Sequence, residues 1–257
     1  MKTLFQLSLV TAVRQKSVFI VLLLLIVGPF VFQQMTNYVA DPSVLAPARV
    51  QATWQLAWLA GSLWLAYQAA NLGGEHVRNK LGEYFLSRGE GRSSQMLALT
   101  LSVGVFGVLI ALISVLMSAF VVTAGVGEGE AYSHWVVLSV QHAVLMLLVV
   151  LPVAQLAIAL ASRFGALVGY TGSVFLYILG FYMVLAVEKL VIAKDTFYFD
   201  LLYVVLPHFY LADLTHRFIH QQGAMTNGEF FAVFEYLAGW GILISAVSYF
   251  IFTPKKK

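Results

Sequence analysis

Apolar residues run through this chain in six long blocks separated by short polar interruptions, at about 18–36, 52–72, 95–123, 135–161, 164–187 and 230–252. Each block is long enough to cross a hydrocarbon layer of about 30 Å at about 1.5 Å of rise per residue. The pattern therefore predicts six membrane helices. A seventh apolar stretch, Phe197 to Leu214, is interrupted by Asp200, Pro207, His208 and Asp213. That makes 197–217 a poor spanning helix and a better re-entrant or interfacial segment. Ahead of the first block, residues 1–17 place Phe5, Leu9, Ala12 and Val13 on one helical face, opposed by Arg14 and Leu7. An interfacial elbow helix is expected there, with a frayed basic tail as the alternative.

Composition makes the membrane reading compulsory. Sixty per cent of the 257 residues are hydrophobic and 11% are charged, against roughly 45–50% and about 25% in soluble domains. Twelve acids and fifteen bases cannot cover a soluble fold of this length. The predicted class is all-α and polytopic, a single domain over 1–257 with no internal repeat or linker.

Charge placement sets the expected orientation, because positively charged loops stay cytoplasmic during insertion. Eleven of the fifteen Lys and Arg fall on one side: Lys2, Arg14 and Lys16; Arg78, Lys80, Arg88 and Arg92; Arg163 in a tight turn; and Lys255 to Lys257. The other side carries Arg49, Lys189, Lys194 and Arg217, with acidic Glu128 and Glu130. Both termini are expected in the cytoplasm. Lys2, Arg14 and Lys16 before an apolar run imitate a secretory signal, but the small residue Ala40 has Tyr38 where cleavage needs a second small one. The first block is read as an uncleaved membrane helix. The chain shows no interleaved basic and aromatic patch of the nucleic-acid-binding kind, and with no cysteine it has neither disulfides nor thiolate chemistry.

The most informative polar segment is 73–94, GGEHVRNKLGEYFLSRGEGRSS. Val77, Leu81 and Phe85 recur at helical spacing with Tyr84 beside them, while Glu75, Arg78, Lys80, Glu83 and Arg88 supply charge. This predicts a short amphipathic cytoplasmic helix. It either rests on lipid headgroups or docks a partner by inserting Val77, Leu81 and Phe85 into a groove, with Glu75, Arg78, Glu83 and Arg88 around the rim.

The order of parts resembles the permeases of ABC-2 type ATP-binding-cassette (ABC) exporters: basic elbow, two spans, charged cytoplasmic helix, three spans, broken outer segment and last span. It is most similar to the compact nitrous-oxide-reductase maturation and gliding-motility permeases. The most specific likeness runs from Glu75 through Leu81, Gly82, Glu83, Phe85, Leu86 and Ser87 to Arg92. Leu160 to Tyr170 looks like the family's turn between spans four and five, and Leu206, Pro207 and His208 like its outer proline segment. The chain departs from the family at Arg88, Gly89, Glu90 and Gly91, where a proline is common.

The resemblance implies the ABC-2 (type V exporter) fold in a bacterial or archaeal plasma membrane. It further implies a coupling role for the 73–94 segment, a second permease, identical or related, and separate ATPase subunits that bind ATP and Mg. This chain is expected to bind no cofactor and to have no enzyme activity of its own, since GxxxxGK[ST] is absent. Short outer loops argue against permeases that carry a large outer domain.

Polar residues within spans mark either helix contacts or a translocation path: Gln51, Gln55 and Ser62 in the second, His142 and Gln155 in the fourth, Glu235 in the last. Trp54, Trp58, Trp135 and Trp240 read as interfacial anchors or packing. The competing function is a membrane-embedded metal-handling protein or metalloenzyme. His208, Asp213, His216 and His220 cluster on the outer side, and the last three are spaced to share a helical face. Ser133, His134 and Asp213 supply the residue types of a hydrolase triad, without any nucleophile motif.

Overall fold

The computed structural model describes residues 1–32, 42–125, 130–194, 196–220 and 222–254, with side chains at all of these except 32, 42–45, 122–125, 130–134 and 219. Residues 33–36 of the first expected span, Tyr38, Ala40, Glu128 and Lys255 to Lys257 lie outside the described residues, as do the side chains of Glu130, Ser133 and His134.

Every regular element among the described residues is helical. A helix suits lipid because it satisfies each backbone N–H and C=O within its own segment. Four helices are long and apolar enough to cross a membrane: α6 (Arg92–Gly125), α7 (Glu130–Phe164), the run of α8 (Ala166–Ile178) and α9 (Val184–Lys194), and α12 (Asn227–Ile251). They correspond to the expected third to sixth spans. Two bent pairs raise the number to six if each is one span. These are α1 (Lys2–Arg14) with α2 (Ser17–Phe32), bent by 65°, and α10 (Phe197–Val205) with Phe209–Phe218, bent by 46°. The chain is a membrane-embedded helical bundle.

The expected second span lies within the helical run of α3 (Pro42–Leu56), a π turn at Ala57–Gly61, and α4 (Ser62–Arg78). It is not among the four strongly apolar helices, and burial explains its polar content. Trp54, Ala57, Leu65, Ala66, Gln68, Ala69 and Ala70 are shielded inside the bundle, so this run packs on protein more than on lipid.

α7 is the centre of the bundle, packed by α4, α6, α8 and α12. Its buried face is rich in small residues, including Ala154, Ala157 and Ala161, which permit close backbone approach where the hydrophobic effect cannot drive helices together. Gly73 on α4 and Gly169 on α8 meet that face from two directions. A single residue, Gly165 with φ +97°, joins α7 to α8, a conformation that favours glycine. By contrast α6 presents Leu97, Leu101, Val105, Val108, Leu112, Leu116 and Phe120 outward, a continuous stripe suited to acyl chains.

α1 is helical, as expected of the elbow, and Phe5, Leu9 and Ala12 face the core as the sequence expects, whereas Val13 does not. Leu4, Ser8 and Ala12 are buried and Val13 is exposed, because α1 packs on α6, where Ser102 Oγ donates to the Phe5 carbonyl at 3.3 Å. In the bent Phe197–Phe218 segment Pro207 holds Leu206 extended (ψ 143°) and stops α10. A 3₁₀ turn (Phe209–Ala212) and α11 (Thr215–Ile219) follow, and α11 packs on α3. α12 begins with a capping box between Thr226 and Glu229.

Candidate functional site

The basic segment 73–94 is not one helix. α4 ends at Arg78, Lys80 takes a left-handed conformation (φ 55°), and α5 (Leu81–Ser87) starts a new direction. Gln95, at the start of α6, ties α5 to the bundle. Its amide donates to the carbonyls of Gly82 (3.2 Å) and Glu90 (3.0 Å), and its Oε1 lies 2.7 Å from His76 Nε2. Gln95 Oε1 can only accept, which puts the histidine proton on Nε2.

The C-terminal end of α12 closes the same region. Phe252 stacks on His76 with ring centroids 6.2 Å apart, and Thr253 N–H donates to Ser162 Oγ at 3.1 Å. The Pro254 carbonyl sits against Gly82 where a Cβ would stand. Arg92 donates to the carbonyls of Tyr249 and, at 2.8 Å, Phe250, a guanidinium satisfying the orphan acceptors at a helix C-terminus. The Met1 ammonium pairs with Glu90. One platform thus gathers α1, α4, α5, α6, the α7–α8 turn and the end of α12.

This packing corrects the expected docking face. Phe85 is 4% exposed and Val77 9%, and Leu81 packs against the core, so these side chains fill their own bundle and are not available as inserts. Amphipathicity marks a helix with one buried face without saying what buries it. The outward residues of α5 are Glu83, Tyr84, Ser87 and its C-cap Arg88, with the Arg88 guanidinium 4.7 Å from the Tyr84 ring centroid. Arg78 and Glu75 pair at 3.5 Å at the end of α4.

At the other end of the bundle, His142 of α7 is fully buried. Trp54 stacks on it (centroids 4.2 Å apart, 13° between planes), and Trp58 Nε1 donates to its Nε2 at 2.8 Å. That bond places the imidazole proton on Nδ1. Asp213 Oδ1 is 3.9 Å from Nε2, too far for a hydrogen bond, and instead accepts from Thr215 N–H at 3.0 Å. Trp54 and Trp58 are thus interior partners of His142. Trp135 stacks on Phe218, and Trp240 donates to Tyr236.

Of the intramembrane polar residues, Gln55 and Ser62 face one cavity together with Asp213. Gln51 and Gln155 are half-buried elsewhere, and Glu235 is exposed on α12. The four metal candidates do not converge: no group of three His, Asp or Glu among the described residues is arranged to hold a metal ion. The expected shared face fails because α11 spans only Thr215–Ile219 and Asp213 precedes it in extended conformation. His208 is held by the Tyr203 carbonyl at 3.0 Å and the rings of Tyr203 and Tyr236, while His216 and His220 are exposed.

Three amides escaped the sequence reading: Gln95, Gln68, which donates to Ser17 Oγ at 3.0 Å, and Gln141, which clamps both backbone groups of Met225. Lone amides within or beside apolar runs were the available signal, since such groups need partners. No family model matches the chain, and no curated protein is significantly similar to it.

Proposed function

We propose that this chain is the transmembrane permease subunit of an ABC exporter of the ABC-2 type, coupling ATP hydrolysis in a separate nucleotide-binding subunit to export or mechanical work. The observation that carries the reading is α5: a short helix between two long ones, locked to the bundle by Gln95 and turning an aromatic and charged rim outward. Movement imposed on such an element passes to α4 and α6 instead of being lost in a loose loop. In this reading the platform is cytoplasmic, Phe197–Phe218 is a re-entrant outer segment, and two permeases assemble with two ATPases that hold ATP and Mg.

Affinity purification of the native complex tests the assignment: a nucleotide-binding subunit is expected to co-purify, and a stable complex without one contradicts it. Central aromatic anchors commonly cost about 2 kcal/mol when truncated, roughly thirtyfold in affinity. Tyr84→Ala combined with Arg88→Ala is expected to release the ATPase at unchanged permease level. Phe85→Ala is expected to lower the stability of the permease itself.

Topology is checked by single-cysteine labelling, which starts from a chain without native cysteine. His216→Cys is expected to label from outside and Tyr84→Cys from the cytoplasm; the reverse overturns the orientation.

A further inference from the structure

Between the α3–α4 run and the α8–α9 run lies a cavity of about 560 Å³, within the size range of small-molecule sites. Both walls carry a π turn. Ala57–Gly61 contributes Trp58 and Leu59, and Leu179–Met183 contributes Phe181 and Tyr182. Such turns displace one residue from helical register and are frequent at functional sites. Asp213, brought in by the bent Phe197–Phe218 segment, is the one lining residue with a formal charge among the described residues, and its side chain is about one-third exposed. Ser62 and Tyr177 also line the cavity. Both residues are buried in the wall, and their hydroxyls are shielded and neighbour each other.

A carboxylate in a membrane protein interior favours a cation. Aromatic faces favour a cation or an apolar body. We propose that this cavity binds an amphipathic cation. Its ammonium lies at Asp213 and its apolar body against Trp58 and Phe181. The binding inference stands on the cavity alone; that the ligand is the exported cargo rests on the exporter reading.

The test uses the purified full chain in phosphatidylcholine nanodiscs, with dansylcadaverine as probe. That molecule combines an aromatic body, a sulfonamide and a terminal ammonium. Its N-acetylated form keeps the shape and loses the charge. Energy transfer from tryptophan, with Trp58 in the cavity wall, is expected to saturate with at least a tenfold lower Kd for the amine. Asp213→Asn retains an oxygen acceptor for Thr215 N–H and is expected to abolish that preference.

If Asp213→Asn does not fold, Leu59→Lys places a cation at the rim of the same cavity, where Leu59 is 64% exposed, and is expected to remove the preference as well. Where binding holds, phosphatidylethanolamine nanodiscs separate two sources of the same chemistry. Competition by that lipid identifies an aminoethyl headgroup as the occupant, and an unchanged Kd identifies a soluble amphiphile. Equal affinity for the two probes overturns the proposal. So does a preference that survives the variants, or no saturable binding of either probe, as when a second copy of the chain seals the cavity. No ATPase enters this measurement, so its failure leaves the co-purification test of the permease reading intact.

Discussion

Replacing Gly169 by valine is expected to destabilise the bundle more than any conservative change on its lipid face. A Cβ at this position would lie 2.6 Å from the Ala157 carbonyl oxygen and 2.9 Å from the Ala161 nitrogen. Both are backbone atoms of α7, so no rotamer change relieves the contact and α8 has to move away. Gly73 stands in the same relation on the α4 side, with its virtual Cβ 2.5 Å from the Ile158 carbonyl. Overpacking of a core costs about 1–3 kcal/mol. A clash with backbone belongs at the upper end of that range, because close packing, rather than water exclusion, holds helices together in lipid. Gly239→Ala on α12 is the control, since nothing lies within 4 Å of its virtual Cβ. Thermal unfolding in detergent should show a large fall in midpoint for Gly169→Val and Gly73→Val, and no fall for Gly239→Ala. Equal midpoints would mean that α7 is not approached as closely as described.

Gln95→Leu is expected to free α5 while leaving the spans in place. The substitution keeps the volume near that of glutamine but leaves the His76 Nε2 proton and the carbonyls of Gly82 and Glu90 without their partner. Each buried unpaired group costs about 1–3 kcal/mol, enough to make local opening of a seven-residue helix frequent. Hydrogen exchange should accelerate by at least tenfold at amides 82–90 and remain slow in α7. Under the permease reading the same variant uncouples ATP hydrolysis from transport. Glu83→Gln, on the outward side of α5, is expected to leave exchange at 82–90 unaltered. Protection at 82–90 that survives in Gln95→Leu would show that Phe85 packing alone holds the platform.

These two expectations separate kinds of information. Gly73 ends one apolar block and Gly169 lies within another, and nothing in periodicity marks either as a contact point. Gln95 sits at the edge of an apolar block, where its chemistry demands a partner but does not name one. The docking face shows the same division. Val77, Leu81 and Phe85 were legible as an apolar side, yet the bundle itself, not another protein, covers them. Asp213, His216 and His220 shared a helical spacing, and a break in the helix at Asp213 and Thr215 dispersed them.

The sequence by itself determined that the chain is helical and membrane-embedded, because its apolar runs are continuous and long enough for spanning helices rather than short and alternating as in a barrel. It also determined where the four most apolar helices run, since a lipid-facing span must be apolar along its whole length. Tertiary structure alone decided that α7 is central, that the polar run through Trp54 and Gln68 is shielded by its neighbours, and that Asp213 reaches the cavity between α4 and α8. Hydropathy records the solvent of a residue, and that solvent is lipid or protein only after the helices have packed.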